Sequence, residues 1–190
     1  MNDLQIFQAP NGATYLSEFM NEIPANCLFN KKLTGCGATE LAIRNDIPTI
    51  IAMPYVALVK NKTVHRKDNL SVLGVYEGVT DQQIIAHAQS HHPLKIAVTY
   101  DSLPRTVQAL KAAGLNPYKD CFLLVDEWHA LFDHYSFRYD AITRLLQEAR
   151  NFERATYLSA TPIERRYVLE ELKHLPICEV RWPNLTNIEV

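Results

Sequence analysis

The sequence predicts an α/β fold, a mostly parallel central sheet with helices on both faces. Three observations carry that prediction. Short apolar runs alternate with amphipathic segments along nearly the whole chain. The apolar runs are almost uninterrupted, which suits strands covered on both sides rather than half-solvated ones. Two of them also end in clusters of polar residues, and in open α/β sheets ligands bind at the carboxyl edge of the strands.

Strands are predicted at Cys27 to Phe29, Thr49 to Met53, Val72 to Tyr76, Ile96 to Thr99, Cys121 to Val125, Thr156 to Ser159 and Ile177 to Val180. Each is rich in Val, Ile, Leu or aromatics and bounded by Pro, Gly, Asn or Asp. Helical patterns fill the intervals: Ala38 to Asn45, Tyr55 to Thr63, Asp81 to Gln89, Asp101 to Ala113, Arg138 to Arg150 and Ile163 to His174. Asp81 and Asp101 are the expected N-caps, and Gly114 the expected stop of the fourth helix. Residues 1–25 read as an extension packing on the core, 26–181 as the domain proper, and 182–190 as an exit segment.

Composition narrows the class. The 190 residues leave room for one domain with a real core. A net charge of -2 argues against a protein that coats nucleic acid indiscriminately, yet allows a local basic patch. Cys27, Cys36, Cys121 and Cys178 are widely spaced, so reduced cysteines are expected rather than a disulfide frame or zinc cluster. With no signal-like N-terminus and no membrane-length apolar run, a soluble cytoplasmic domain without a membrane partner is expected.

Chemistry concentrates at three places. Asp126-Glu127-Trp128-His129 follows the run Phe122-Leu123-Leu124-Val125. A buried strand that ends in adjacent carboxylates suits a Mg²⁺–nucleotide site, one carboxylate orienting the metal and the other an attacking water. Tyr157-Leu158-Ser159-Ala160-Thr161-Pro162 repeats the layout with hydroxyls. Asn30-Lys31-Lys32-Leu33-Thr34-Gly35-Cys36-Gly37-Ala38-Thr39 links the first predicted strand to the first helix, where a phosphate-cradling loop belongs. Against Gly-x-x-x-x-Gly-Lys-Ser/Thr, Gly37 and Thr39 match, Lys32 replaces the first glycine and Ala38 replaces the lysine.

Taken together and in this order, the three stretches resemble the first, ATP-binding domain of superfamily 2 helicases, the DEAD/DExH-box group with a RecA-like P-loop NTPase core. The resemblance runs from about Asn26 to about Pro162. It rests on motif II (Asp126 to His129), motif III (Ser159 to Thr161) and a degenerate motif I (Thr34 to Thr39), with weaker echoes at Ala52-Met53-Pro54 and Val98 to Leu103. The resemblance implies that Gly35, Gly37 and Thr39, with the rest of the loop, hold the phosphates of ATP. It puts the Thr39 hydroxyl and Asp126 on Mg²⁺ and gives the hydrolytic water to Glu127. It makes His129 a link out of the nucleotide site, with Ser159 and Thr161 coupling ATP state to nucleic-acid binding. Pro54 and Thr99 would face a DNA or RNA strand. A second RecA-like domain of a longer chain would complete the motor.

Ala38 is the departure. The usual lysine stabilises charge on the β- and γ-phosphates, and losing such a contact costs several kcal/mol of transition-state stabilisation. Lys32, or alternatively Lys31, could fold back over the loop to replace it. If neither does, the domain is a catalytically inactive nucleotide-binding or scaffold module; a Mg²⁺ nuclease would need further acidic strand ends.

Other residues admit two readings. Lys60, Lys62, His65, Arg66 and Lys67 are either a solvated helix end or a phosphate-backbone contact. His129, Asp133 and His134 have partial metal-ligand spacing without a matching set elsewhere. Gln5 and Gln8 could read adenine or simply face solvent.

Overall fold

A computed structural model describes residues 4–64, 70–133 and 139–183. One eight-stranded, all-parallel sheet organises them, in the order β1-β8-β2-β7-β6-β3-β5-β4. The strands are β1 (Leu4–Gln8), β2 (Cys27–Asn30), β3 (Thr49–Met53), β4 (Leu73–Val75), β5 (Lys95–Thr99), β6 (Phe122–Asp126), β7 (Ala155–Ser159) and β8 (Ile177–Arg181). The helices are α1 (Ala38–Arg44), α2 (Val56–Thr63), α3 (Asp81–Ser90), α4 (Leu103–Ala112), α5 (Pro117–Asp120), α6 (Ala130–Asp133) and α7 (Tyr139–Ala149).

Alternation along the central strands builds two cores. Ile50, Ala52, Leu123 and Val125 face the helices α3, α4 and α7, where Ile84, Val107, Leu110 and Leu145 meet them. Ile51, Met53, Phe122 and Leu124 face the other way, onto α1, α2 and the segment around Leu16, Met20 and Ile23. Both faces are thus dry, which is why the strands read as continuous apolar runs. Among the described residues, no helix is long and apolar enough to cross a membrane. The four cysteines are free and buried.

The α/β class and seven of the strands follow the sequence reading. β1 does not: it pairs in parallel with β8 at the sheet edge, and Leu4 and Ile6 stay exposed there. Its alternating, half-polar sequence lacks the apolar continuity of the inner strands. The predicted helix from Ile163 to His174 is replaced by two 3-10 turns, Arg165–Tyr167 and Glu170–Leu172. Val168 is extended between them, so that Val168 and Leu172 both enter the core.

Two caps are also corrected. Thr80, not Asp81, caps α3: its hydroxyl accepts from Gln83 N (3.3 Å), and its own N–H donates to Gln83 Oε1 (2.8 Å). Asp81 pairs with Arg105 instead (2.8 Å). Asp101 sits inside a 3-10 turn, Tyr100–Ser102, and Ser102 is the residue that precedes α4. Gly114 ends the fourth helix as expected, at φ 89°.

Lys95 fastens α1 to the sheet. From the start of β5 its ammonium donates to Ala42 O (2.7 Å), Asn45 Oδ1 (2.8 Å) and Ile47 O (2.5 Å), at the end of α1 and just beyond it. Burial pushes this ammonium down to about 8 from 10.5. Between those values the unfolded chain keeps the proton that the folded chain has released, so this group makes stability rise with pH. Urea unfolding of wild type and Lys95→Met from pH 7.5 to 10.5 should show the difference moving in favour of wild type above pH about 8.

Candidate nucleotide and metal site

The site forms where β2, β7 and β6 lie side by side. Asn30 is level with Ser159, and Asp126 with Leu158. The loop after β2, the acidic pair after β6 and the hydroxyl cluster after β7 therefore meet at one carboxyl edge.

Backbone shape sets the loop. Gly35 and Gly37 have φ values of 71° and 79°, the left-handed region that glycine enters without a side-chain penalty. A Cβ at Gly37 would make only an ordinary contact, 3.5 Å, with the Tyr15 ring, so the backbone angle is what calls for glycine there. The Leu16 N–H donates to Cys36 O (2.9 Å) and ties the N-terminal segment to the loop. Tyr15 and Ser17 thereby become part of the cavity wall, a contribution with no local signal in the sequence.

That cavity has a volume of about 610 Å³ and is lined by Lys31, Gly35, Cys36, Gly37, Ala38 and Thr39 from the loop, and by Asp126 and Glu127. Thr34 is exposed and does not line it. The Thr39 hydroxyl donates to Asp126 Oδ2 (3.0 Å), and the Glu127 N–H donates to Asp126 Oδ1 (3.0 Å). Lys31 Nζ stands 3.9 Å from Asp126 Oδ1 and 3.6 Å from Glu127 Oε1. Lys32, its neighbour, turns away: φ is 57° and Nζ pairs with Glu179 Oε1 at 2.6 Å.

Glu127 also has a left-handed backbone, φ 53°, which costs a non-glycine residue on the order of 1 kcal/mol. The Tyr100 hydroxyl holds this turn by donating to the carbonyls of Asp126 (2.7 Å) and Glu127 (3.3 Å). Beyond it, His129 Nδ1 lies 3.0 Å from Ser159 Oγ and 3.3 Å from Glu127 Oε2. Ser159 Oγ closes onto Thr161, accepting from its N–H (3.0 Å) and donating to its carbonyl (3.1 Å). A run of close contacts thus leads from Glu127 through His129 and the Ser159 hydroxyl to the Thr161 backbone.

The donor set of Asp126 and Thr39 is all oxygen, the chemistry of a hard cation such as Mg²⁺. Burial pushes the Asp126 carboxyl above its ordinary value, with Lys31 pulling it down and Glu127 pushing it up. The alternative metal set, His129 with Asp133 and His134, falls partly outside the described residues. Among the described residues no cluster of three or more His, Cys, Asp and Glu is poised for a metal.

The residues expected at nucleic acid divide. Pro54 and Thr99, at the ends of neighbouring strands β3 and β5, line a second cavity of about 660 Å³ with Tyr55, Asp101 and Arg105. Lys60 instead stacks its ammonium over the Tyr76 ring (5.2 Å), and Lys62 borders the first cavity and pairs with Glu40 (3.5 Å). Arg66 lies outside the described residues, as do His65 and Lys67. Gln8 Nε2 donates to Arg181 O (3.3 Å) and Gln5 Oε1 accepts from the Cys178 thiol (3.7 Å); neither lines the first cavity.

A native state that raises the Asp126 pKa binds the proton more tightly than the unfolded chain, so the ionised carboxylate costs stability at higher pH. Asp126→Asn keeps the shape and removes that charge. Its thermal midpoint should rise, by about 2–4 °C for each kcal/mol relieved. Calorimetry at pH 8 checks this, and an unchanged or lower midpoint would contradict it.

No family model matches the sequence, and no curated protein matches it. Among solved structures the chain is similar to the crystal structure of DUF1998 helicase MrfA bound to DNA and AMPPNP, with a TM-score of 0.54 and 15% identity. The likeness covers 82% of this chain but 25% of that one, so the chain spans about a quarter of its length. The likeness shows the fold alone: a parallel α/β domain of the kind present in that structure.

Proposed function

We propose that the chain is the ATP-binding domain of a superfamily 2 helicase or translocase, coupling ATP binding and hydrolysis to nucleic-acid binding. The observation that carries this reading is the buried Asp126 carboxylate, bonded to the Thr39 hydroxyl and flanked by Lys31 and Glu127, on the wall of a 610 Å³ cavity at the carboxyl edge of the sheet. The DNA and AMPPNP bound to the structural neighbour support it.

On this reading Gly35 and Gly37 let the loop close on the phosphates, while Thr39 and Asp126 would hold Mg²⁺. When bound, the cation neutralises phosphate charge and screens it during transfer. Glu127 orients the hydrolytic water and takes its proton as the water oxygen bonds to the γ-phosphorus and the bond to ADP breaks. His129, joined to both Glu127 and Ser159, passes the state of the site to Thr161. Pro54 and Thr99 face the nucleic acid from the second cavity. Full turnover needs a second RecA-like domain from a longer chain, which in motors of this family contributes arginines to the γ-phosphate. Ala38 supports the inactive-module alternative, and hydrolysis separates the two.

Titration of a fluorescent ATP analogue with Mg²⁺, and phosphate release with and without single-stranded DNA or RNA, test the proposal. Glu127→Gln should bind the analogue within about threefold of wild type and lose hydrolysis by at least about 100-fold. Wild-type protein that binds no Mg²⁺–nucleotide would refute it. Binding without any hydrolysis would leave the inactive module.

A further inference from the structure

We infer that Lys31 supplies the phosphate-facing positive charge that the loop lacks at Ala38, so that the charge enters from the strand end rather than from the start of α1. This rests on the nucleotide-binding reading above and identifies the cation that reading requires.

The two adjacent lysines have opposite surroundings. Lys31 is 7% exposed, and its ammonium lies within 4 Å of both carboxylates on the wall that Gly35, Gly37, Ala38 and Thr39 also form. Lys32 leaves the loop at a left-handed residue and is fastened to Glu179 on β8. A buried ammonium is tolerated only where acceptors or anions compensate it, and desolvation strengthens its attraction for any further anion in the same cavity. Its field already reaches the loop: Lys31 opposes the upward push of burial on the Cys36 thiol as well as on Asp126.

The main chain of Lys31 is held on two sides. Its N–H donates to Ser159 O (2.9 Å), and its carbonyl accepts the Trp182 indole N–H (2.8 Å). Trp182 is itself buried and packs edge-on against Phe19. Fixing the backbone while leaving the long stem to move suits a charge that must hold two carboxylates in one state and reach phosphates in another. Two rival cations border the cavity, Lys62 and Arg44, and both are paired with Glu40. Neither has an ion pair with Asp126 or Glu127 among the described residues.

The test is equilibrium titration with a fluorescent ATP analogue and Mg²⁺. Lys31→Met should weaken binding at least about tenfold, the size of one lost charge-assisted contact. Lys32→Met and Lys62→Met should each change it less than about threefold. Lys31→Met/Ala38→Lys, which returns the ammonium to the start of the helix, should recover most of the loss. Because Lys31→Met alone takes the ammonium away from two neighbouring carboxylates, it is also made in the Glu127→Gln chain and compared with Glu127→Gln. Equal binding by wild type and Lys31→Met, or a larger loss from Lys32→Met or Lys62→Met, would overturn the inference and leave the nucleotide reading standing. Failure of wild type to bind would sink the nucleotide reading, and this inference with it.

Discussion

A carboxylate buried at the end of β6 is the constraint on which the rest of the site depends. Asp126 is only 6% exposed, and an isolated ionised carboxylate at such a depth would take up a proton instead of keeping its charge. Compensation has to come from several directions. The hydroxyl of Thr39 comes from α1, the N–H of Glu127 from the turn that follows, and the ammonium of Lys31 from the end of β2. Those groups converge only if β2, β7 and β6 are neighbours in this register and the loop after β2 folds back across the sheet edge. The left-handed turn at Glu127 belongs to the same arrangement, since it brings both carboxylates to a single ammonium.

The helix that carries Thr39 is secured at both ends. It begins at Gly37, whose left-handed backbone turns the loop into the helix, and ends where Lys95 gathers the carbonyls of Ala42 and Ile47. Between these points Leu41, Ala42 and Ile43 pack into the core shared with β3 and β6. A helix of seven residues is marginal on its own, so these tertiary ties, more than its propensity, keep it in place. The loop geometry at one end of the sheet thus rests on a buried lysine near the other.

Much of this was legible because burial on both faces leaves a simple trace. Strands β2 to β8 each appear as an apolar run, and the acidic pair and the hydroxyl cluster stand out directly after two of them. β1 was not legible, since an edge strand with one exposed apolar side resembles an ordinary N-terminal segment. Ile163 to His174 misled because its apolar spacing fits a helix, although the core draws Val168 and Leu172 in from an extended break. The choice between Lys31 and Lys32 was illegible for a sharper reason. Adjacent residues at a strand end have equal reach in the sequence, and their divergence follows from the backbone turn at Lys32 and from Glu179 on β8, distant in sequence. Tyr15 was missed likewise, because only a long-range bond from Leu16 to Cys36 brings it to the cavity.

Ser159 joins the two halves of the argument. Its carbonyl accepts the Lys31 N–H, while its hydroxyl lies 3.0 Å from His129 Nδ1 and is bonded to Thr161. One residue therefore touches both the segment that positions the charge and the histidine that contacts Glu127. With the lysine at the start of α1, as in the usual pattern, the phosphate charge and the strand-end hydroxyls would sit on separate elements joined only through the ligand. With the charge on Lys31, under the proposed function, they share a backbone hydrogen bond between neighbouring strands. A shift of the Lys31 ammonium from the carboxylates to a phosphate would leave that backbone bond to Ser159 in place. The same change would free Glu127 from its ammonium and leave it to His129 and water. Under that reading, relocating the charge would do more than replace a lost lysine: the phosphate contact and the proposed coupling hydroxyl would sit on two residues joined by one hydrogen bond.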